Sequence, residues 1–251
     1  MTRPYSTPSA LIVGASSGVG AALARRLARE GYALGLVARR VDRLQAMCDE
    51  ATGVHHLRAF AYQHDVVNVA EVPALLDKAI SDLGRLDLFI YCAGVLFPND
   101  PAVYHVAEDL FTLQVNLVGA AAWINPVAQR FQQDHAGHIV GIGSIAGDRG
   151  RRGLPAYTAS KAGLHTYLEG MRNRLWREGV TVTTIKLGQV ETDMLKNADR
   201  KRSPISADRA AELIWRAIET RKPTVYVPAW WRLVGLAIQH LPSFIFRRLP
   251  L

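Results

Sequence analysis

Short aliphatic runs recur along this chain, each followed by a stretch with helical spacing, and that alternation limits the possible folds more than any other feature. Seven runs read as strands: ALIVG (10–14), ALGLVA (33–38), one within HLRAFAYQHDV (56–66), LDLFIYCAG (86–94), GHIVGIGS (137–144), VTVTTIKLG (180–188) and TVYVP (224–228). Helices are expected over 18–31, closed by Gly31, over 41–51, over 68–83, closed by Gly84, over 107–134 with an interruption at Pro126, over 155–178 and over 206–220. The strands are continuously apolar rather than alternating, so both of their faces must be covered, as in a parallel sheet between two layers of helices. The fold class implied is α/β: a doubly wound parallel seven-stranded sheet with helices on both faces. It is read as one domain over residues 1–228, followed by an apolar, basic extension, 229–251.

The turn between the first strand and the first helix, LIVGASSGVGAAL (11–23), carries Gly14, Gly18 and Gly20, with Ser16, Ser17 and Val19 among them. In a doubly wound sheet this turn lies at the carboxyl edge, where ligands bind. The helix that follows offers free N–H groups and a partial positive charge to a pyrophosphate, and glycines let the phosphates come close. The spacing is G-x-x-x-G-x-G. A plain glycine turn is one reading and a Rossmann-type dinucleotide site is the sharper one. The second strand ends in Ala38-Arg39-Arg40. A protein that uses NAD tends to carry an acid there for the ribose 2′-hydroxyl, whereas guanidinium groups suit a 2′-phosphate. The cofactor expected is NADP(H) rather than NAD(H); the alternative is that both arginines are loop charges.

A second constellation carries chemistry. Tyr157 and Lys161 stand four residues apart in YTASKAGLH (157–165) and so share a helix face. A free phenol has a pKa near ~10, and a neighbouring ammonium stabilises the phenolate and lowers it, which makes a usable general acid or base. Ser144 ends the fifth strand at the same carboxyl edge, where its hydroxyl can polarise a carbonyl oxygen. Each feature has a bland counterpart: an ordinary helix pair, or a capping hydroxyl. Their order and spacing together are hard to obtain by chance. A serine hydrolase is disfavoured, because GIGSIAG has Ile142 where G-x-S-x-G needs glycine, and His165 reads as a helix-surface residue rather than a base.

These motifs resemble the short-chain dehydrogenase/reductase family over roughly residues 8–228. GASSGVG is similar to the family's cofactor turn, HDV to its adenine-side acid (Asp65 and Val66), and Cys92-Ala93-Gly94 to its Asn-Ala-Gly. Asn116 in QVNLVGA stands at the family's helix asparagine, and LGQVETDM resembles its Pro-Gly…Thr segment, with Gly188, Val190 and Thr192 near the nicotinamide amide. The resemblance implies that Tyr157 moves the proton, Lys161 lowers its pKa and binds the nicotinamide ribose, Ser144 orients the carbonyl, and Asn116 holds a relay water. Hydride would pass between the cofactor and the substrate carbon. Val13, Cys92 and Leu187 replace the usual threonine, asparagine and proline, and none of the three removes a catalytic group. The resemblance also implies a homo-oligomer, paired through the two long helices. A non-catalytic NADP(H)-binding regulatory protein on the same fold is the alternative.

Composition adds limits. The chain has 251 residues, 49% hydrophobic and 21% charged, ordinary for a globular domain. Its net charge is +8, yet no helix-turn-helix, zinc or RNA-binding motif goes with it, so no nucleic-acid partner is expected. Cys48 and Cys92 form no pattern with histidine, which disfavours a metal site and fits a reducing, cytoplasmic setting. The start MTRPYSTPS reads as no signal peptide, and no run reaches the ~18 apolar residues of a membrane span. The resemblance implies that the loop 189–205, with Met194 and Leu195, faces a carbonyl or alcohol substrate, with ketoacyl, steroid-like and other lipophilic ketones all open; its basic run Lys196 to Arg202 and the basic run 148–152 suit an anionic portion of that substrate, such as a coenzyme A or carrier-protein arm, or are solvated loop charges. In the extension, Trp230, Leu233, Val234, Ala237, Ile238 and Leu241 make a helical stripe with Arg247 and Arg248 beyond it. That stripe suits docking on protein, as a flap over the pocket or on a partner subunit, or peripheral contact with a membrane surface.

Overall fold

The computed structural model describes residues 7–97, 102–196 and 203–249. Its strands are Ser9–Val13 (β1), Ala33–Ala38 (β2), Ala59–Gln63 (β3), Leu88–Tyr91 (β4), Gly137–Ser144 (β5), Val180–Leu187 (β6), Val190–Glu191 (β7), Ile205–Ser206 (β8) and Thr224–Val227 (β9). Seven of them form one parallel sheet in the order β3-β2-β1-β4-β5-β6-β9, as the continuous apolar runs require. The short pair β7 and β8 stands apart and ties the two ends of the loop after β6. That loop's basic run lies mostly in 197–202, outside the described residues.

The helices are Gly18–Arg29 (α1), Val41–His55 (α2), Val72–Leu83 (α3), Val106–Leu113 (α4), Gly119–Asp134 (α5), Pro155–Leu175 (α6), Asp193–Lys196 (α7), Ala207–Glu219 (α8), Trp231–His240 (α9) and Ser243–Phe246 (α10). They build two cores, one on each face of the sheet. Leu11 and Val13 of β1 join Leu76, Trp123, Phe131 and Leu168 from α3, α5 and α6. Ala10 and Ile12 point the other way, to Leu23, Leu27, Leu44 and Ile214 from α1, α2 and α8. Side chains alternate across a strand, so a strand apolar at every position is one buried on both sides.

Two expectations are corrected here. The helix over 107–134 is not interrupted at Pro126, which lies inside a regular α5. The irregularity falls earlier, as a π-helical turn at Gln114–Val118. Proline removes one backbone donor; here the buried face of Trp123, Ile124, Val127 and Phe131 holds the helix straight on through it. The whole stretch Val106–Asp134 is long and apolar enough to cross a bilayer by length and composition, and its apolar face is packed into the core. The second correction concerns α9. Trp231 and Gly235 are its buried positions, whereas Trp230 and Leu233 of the expected stripe are exposed.

Candidate active site

The chain leaves β1 toward one side of the sheet and returns at β4 on the other, so a crevice opens between their carboxyl ends. At this point a cavity of about 360 Å³ lies along the ends of β1, β2, β4, β5 and β6. Its first wall is the glycine turn. Gly14 has φ +91°, and a Cβ there would stand 2.5 Å from the Ala93 nitrogen, so the ends of β1 and β4 meet only because 14 is glycine. A Cβ on Gly20 would stand 2.2 Å from the Gly14 carbonyl oxygen, so α1 presses directly on the turn. The first turn of α1 holds no acidic residue, and its N-cap, Ser17, makes no capping bond. Its free N–H groups are therefore available to an anion.

The Ser17 hydroxyl is engaged elsewhere. Arg40 donates to Ser17 Oγ at 2.7 Å and to Ser16 Oγ at 3.0 Å, bracing the end of β2 against the glycine turn. Arg39 is 64% exposed and has Asp65 as its nearest carboxylate, at 3.9 Å. Both guanidinium groups line the cavity. The residues present thus fit a phosphorylated dinucleotide, with a cradle that any Cβ would fill and two cations at the far end.

The opposite wall comes from β5 and α6. Ser144 ends β5, and its hydroxyl accepts from the Ala146 N–H at 3.1 Å. Burial raises the Tyr157 phenol above its ordinary value, while the Ser144 hydroxyl and the Arg151 charge pull it down. Burial lowers the Lys161 ammonium to about 8. Lys161 Nζ donates to the Ile142 carbonyl at 3.1 Å and stands 5.9 Å from the centre of the Tyr157 ring. Burial also pushes the Cys92 thiol up to about 12, so it stays protonated.

Of the residues singled out in the sequence, Gly14, Ser16, Ser17, Gly18, Val19, Arg39, Arg40, Asp65, Val66, Cys92, Ala93, Gly94, Ser144, Tyr157, Lys161, Gly188, Val190 and Thr192 all line this cavity. Gly20 and Asn116 do not; each supports the wall from behind. Asn116 lies in the π-helical turn, where its amide donates to the Val95 carbonyl and to Ser160 Oγ, both at 3.0 Å, and its Oδ1 accepts from the Val95 N–H. It pins the segment after β4 to α6.

Two neighbours of the site were not legible in advance. His165 is not a surface residue. Its Nε2 accepts from the Ser144 N–H at 3.4 Å, and a Cβ on Gly143 or Gly147 would stand 2.3 or 2.7 Å from its ring. Burial, then the charges of Lys186 and Lys161, lower it to about 3, so it is neutral and free to accept. The glycines flanking Ser144 in GIGSIAG were the signal that something large sits there. The other neighbour is Trp231, which lines the cavity from α9 and packs so closely that a Cβ on Gly188 would stand 1.9 Å from its Nε1.

Arg149 explains how α9 is held. It donates to the carbonyls of Ile238 and Leu241 and to Ser243 Oγ, and stacks 4.1 Å from the Phe246 ring centre. Beneath Gly235, Asp148 accepts from Lys186 and from the Tyr226 hydroxyl. Part of the basic run 148–152 therefore serves the C-terminal helices; Arg151 remains on the cavity wall.

Sheet order, glycine cradle and strand-end hydroxyl together define a dinucleotide-binding α/β protein. The chain belongs to the short-chain dehydrogenase family of oxidoreductases, whose sequence model, described as short chain dehydrogenase, matches residues 8–203. An uncharacterized oxidoreductase of Mycobacterium tuberculosis is 30% identical over 241 residues, 95% of either chain. Another, of Myxococcus xanthus, is 35% identical over 189 residues, 74% of this chain and 73% of that one. Among solved structures, a short-chain dehydrogenase from Sphingobium yanoikuyae in complex with NADPH is 26% identical, with a TM-score of 0.82 over 94% of this chain and 97% of that one. The actinorhodin polyketide ketoreductase with NADPH shares the fold, with a TM-score of 0.78 over 88% of this chain and 95% of that one, at 24% identity.

Proposed function

We propose that the protein is an NADP(H)-dependent oxidoreductase that interconverts a carbonyl and a secondary alcohol on a lipophilic substrate. The observation that carries this reading is the convergence of Ser144, Tyr157 and Lys161 on the same cavity as the glycine turn and the arginine pair. NADPH in a similar structure supports the choice of cofactor. Leu96, Ile145, Leu154, Leu187, Met194 and Trp231 line the cavity and support an apolar substrate.

The dinucleotide, when bound, supplies or takes up the hydride. Tyr157 gives its phenolic proton to the carbonyl oxygen in reduction and takes it back in oxidation. The Ser144 hydroxyl donates a hydrogen bond to the same oxygen and favours the charge that develops there. His165 fixes the end of β5 by accepting from the Ser144 N–H, which orients that hydroxyl. Lys161 keeps its proton below pH about 8, holds positive charge beside Tyr157 and offers its remaining donors to the nicotinamide ribose. Asn116 acts from behind the wall, tying the segment after β4 to Ser160 on α6, the helix that carries Tyr157 and Lys161. Arg39 and Arg40 bind the 2′-phosphate, Ser16, Ser17, Gly18 and Val19 the phosphates, Asp65 and Val66 the adenine side, and Gly188, Val190 and Thr192 the nicotinamide amide.

The test is to titrate the purified protein with NADPH and NADH, then assay turnover against ketones of graded size. Tighter NADPH binding with reduction of a ketone is expected. Tight NADPH binding with no turnover across the panel would instead favour the regulatory protein. A homo-oligomer is also proposed, from exposed Val106, Leu110 and Val118 along α4 and the π-helical turn and Trp176 just after α6. A monomeric mass by light scattering would overturn it.

A further inference from the structure

The docked helix α9 buries Trp231 and Gly235, but its outer side is more apolar than that of a helix at a water-facing surface. Such helices turn apolar residues inward and polar residues outward. Here the inward side meets polar partners: Gly235 lies over the Asp148–Lys186–Tyr226 cluster, and the carbonyls of Ile238 and Leu241 are taken by Arg149. The outward side carries Trp230, Leu233, which is 73% exposed, and Leu236. The segment that follows adds Phe244, 56% exposed, with Ile245 and Leu249. Six of the exposed large hydrophobic residues thus fall between Trp230, the N-cap of α9, and Leu249 in the turn after α10.

Charge selects what covers this face. Arg232, Arg247 and Arg248 are exposed among the apolar side chains, and the chain holds no acidic residue after Glu219. A second copy docked across a two-fold axis would bring these arginines against one another with no carboxylate between them. An anionic bilayer surface meets both demands, because it takes apolar side chains into its acyl boundary and pairs arginines with headgroup phosphates. The cavity is one ring away. Trp230 stacks on Trp231 with ring centres 4.2 Å apart, and Trp231 is part of the cavity wall.

We propose that α9 and α10 form a docking surface for anionic lipid membranes, which seats the cavity wall at the bilayer and gives access to substrates dissolved there. The surface itself does not depend on the reaction proposed above; only the access to substrate does.

The experiment is co-sedimentation of the full chain with vesicles of phosphatidylcholine, with and without phosphatidylglycerol. Sedimentation is expected only with the anionic lipid and is expected to fall as salt rises. Arg247→Ala with Arg248→Ala should weaken it about 30-fold, following the usual share of an arginine at an anionic surface. Leu233→Asp with Phe244→Asp should abolish it. Both pairs change exposed side chains, and NADPH titration and light scattering check that fold and mass are kept. No sedimentation of the parent, equal sedimentation on neutral lipid, or variants that sediment like the parent would each overturn the proposal. A halved mass in the Leu233/Phe244 variant would also overturn it, because the face would then be an interface between copies. Loss of NADPH binding with vesicle binding kept would count against the proposed reaction alone.

Discussion

The two ends of the cavity are built by opposite means. The phosphate end is made of things left out: Gly14 and Gly20 let backbone press on backbone, and α1 begins with no acid and no side-chain cap. The reacting end is made of polar side chains, the half-buried Ser144 and Tyr157 and the buried Lys161, set among groups from other elements such as Asn116, His165 and Trp231. The first kind of site tolerates change in its surroundings and no change in itself. The second depends on its surroundings for protonation state and position.

The largest test of this contrast is Tyr157→Phe. It removes one proton donor and no packing volume, so turnover should fall about 10³-fold while the NADPH dissociation constant stays nearly unchanged. Appreciable residual turnover would break the contrast at its chemical end. Next come the cations at the far end. Arg39→Ala with Arg40→Ala should weaken NADPH about 10- to 100-fold, with little change for NADH, in a fluorescence titration. Equal losses for the two cofactors would mean that the Arg40 brace on Ser16 and Ser17 is what matters.

Gly188→Ala belongs to the reacting end although it removes no functional group. The new methyl would meet Trp231, and overpacking of this kind costs about 1–3 kcal/mol. A lower melting temperature and a red-shifted tryptophan emission are expected; an unchanged spectrum would show that α9 is not seated as described. The smallest effect concerns acid. Burial first, with neighbouring cations second, holds His138 at about 4 and His165 at about 3. Both lie below the ordinary histidine value, so the unfolded chain takes up protons that the folded protein refuses. The stability is fully present above pH ~6.5 and is lost as pH falls toward those values. Each histidine should account for about 1 kcal/mol between pH 7 and 5.5. His138→Gln should flatten the fall in melting temperature over that range.

What was legible in the sequence follows the same division. The seven strands of the main sheet, their parallel arrangement and the helices on both faces came from local pattern, because a strand buried on both sides must be apolar throughout; the short pair β7 and β8 carries no such run. Gly14, Gly18 and Gly20 and the spacing of Ser144, Tyr157 and Lys161 were equally plain, since each is a statement about neighbours along the chain. The rest was not local. Pro126 looked like a break because a missing N–H is written in the sequence, whereas the burial of Trp123 and Phe131 that outweighs it is not. His165 looked superficial because the space it fills is made by Gly143 and Gly147, about twenty residues earlier. On α9 hydrophobic spacing points to Trp230 and Leu233, whereas the inner side is set by Trp231 against Gly188 and by the partners of Asp148 and Arg149. Arg149 was grouped with substrate-facing charges because nothing nearby in the sequence marks the carbonyls of Ile238 and Leu241 as its partners.

The seat of Trp231 against Gly188 has a consequence in time. Synthesis runs from the amino end, and the strands that form the phosphate cradle, β1 to β4, are made long before α9. A nascent chain can present the cradle while the cavity still lacks the wall that Trp231 supplies from α9, more than a hundred residues further along.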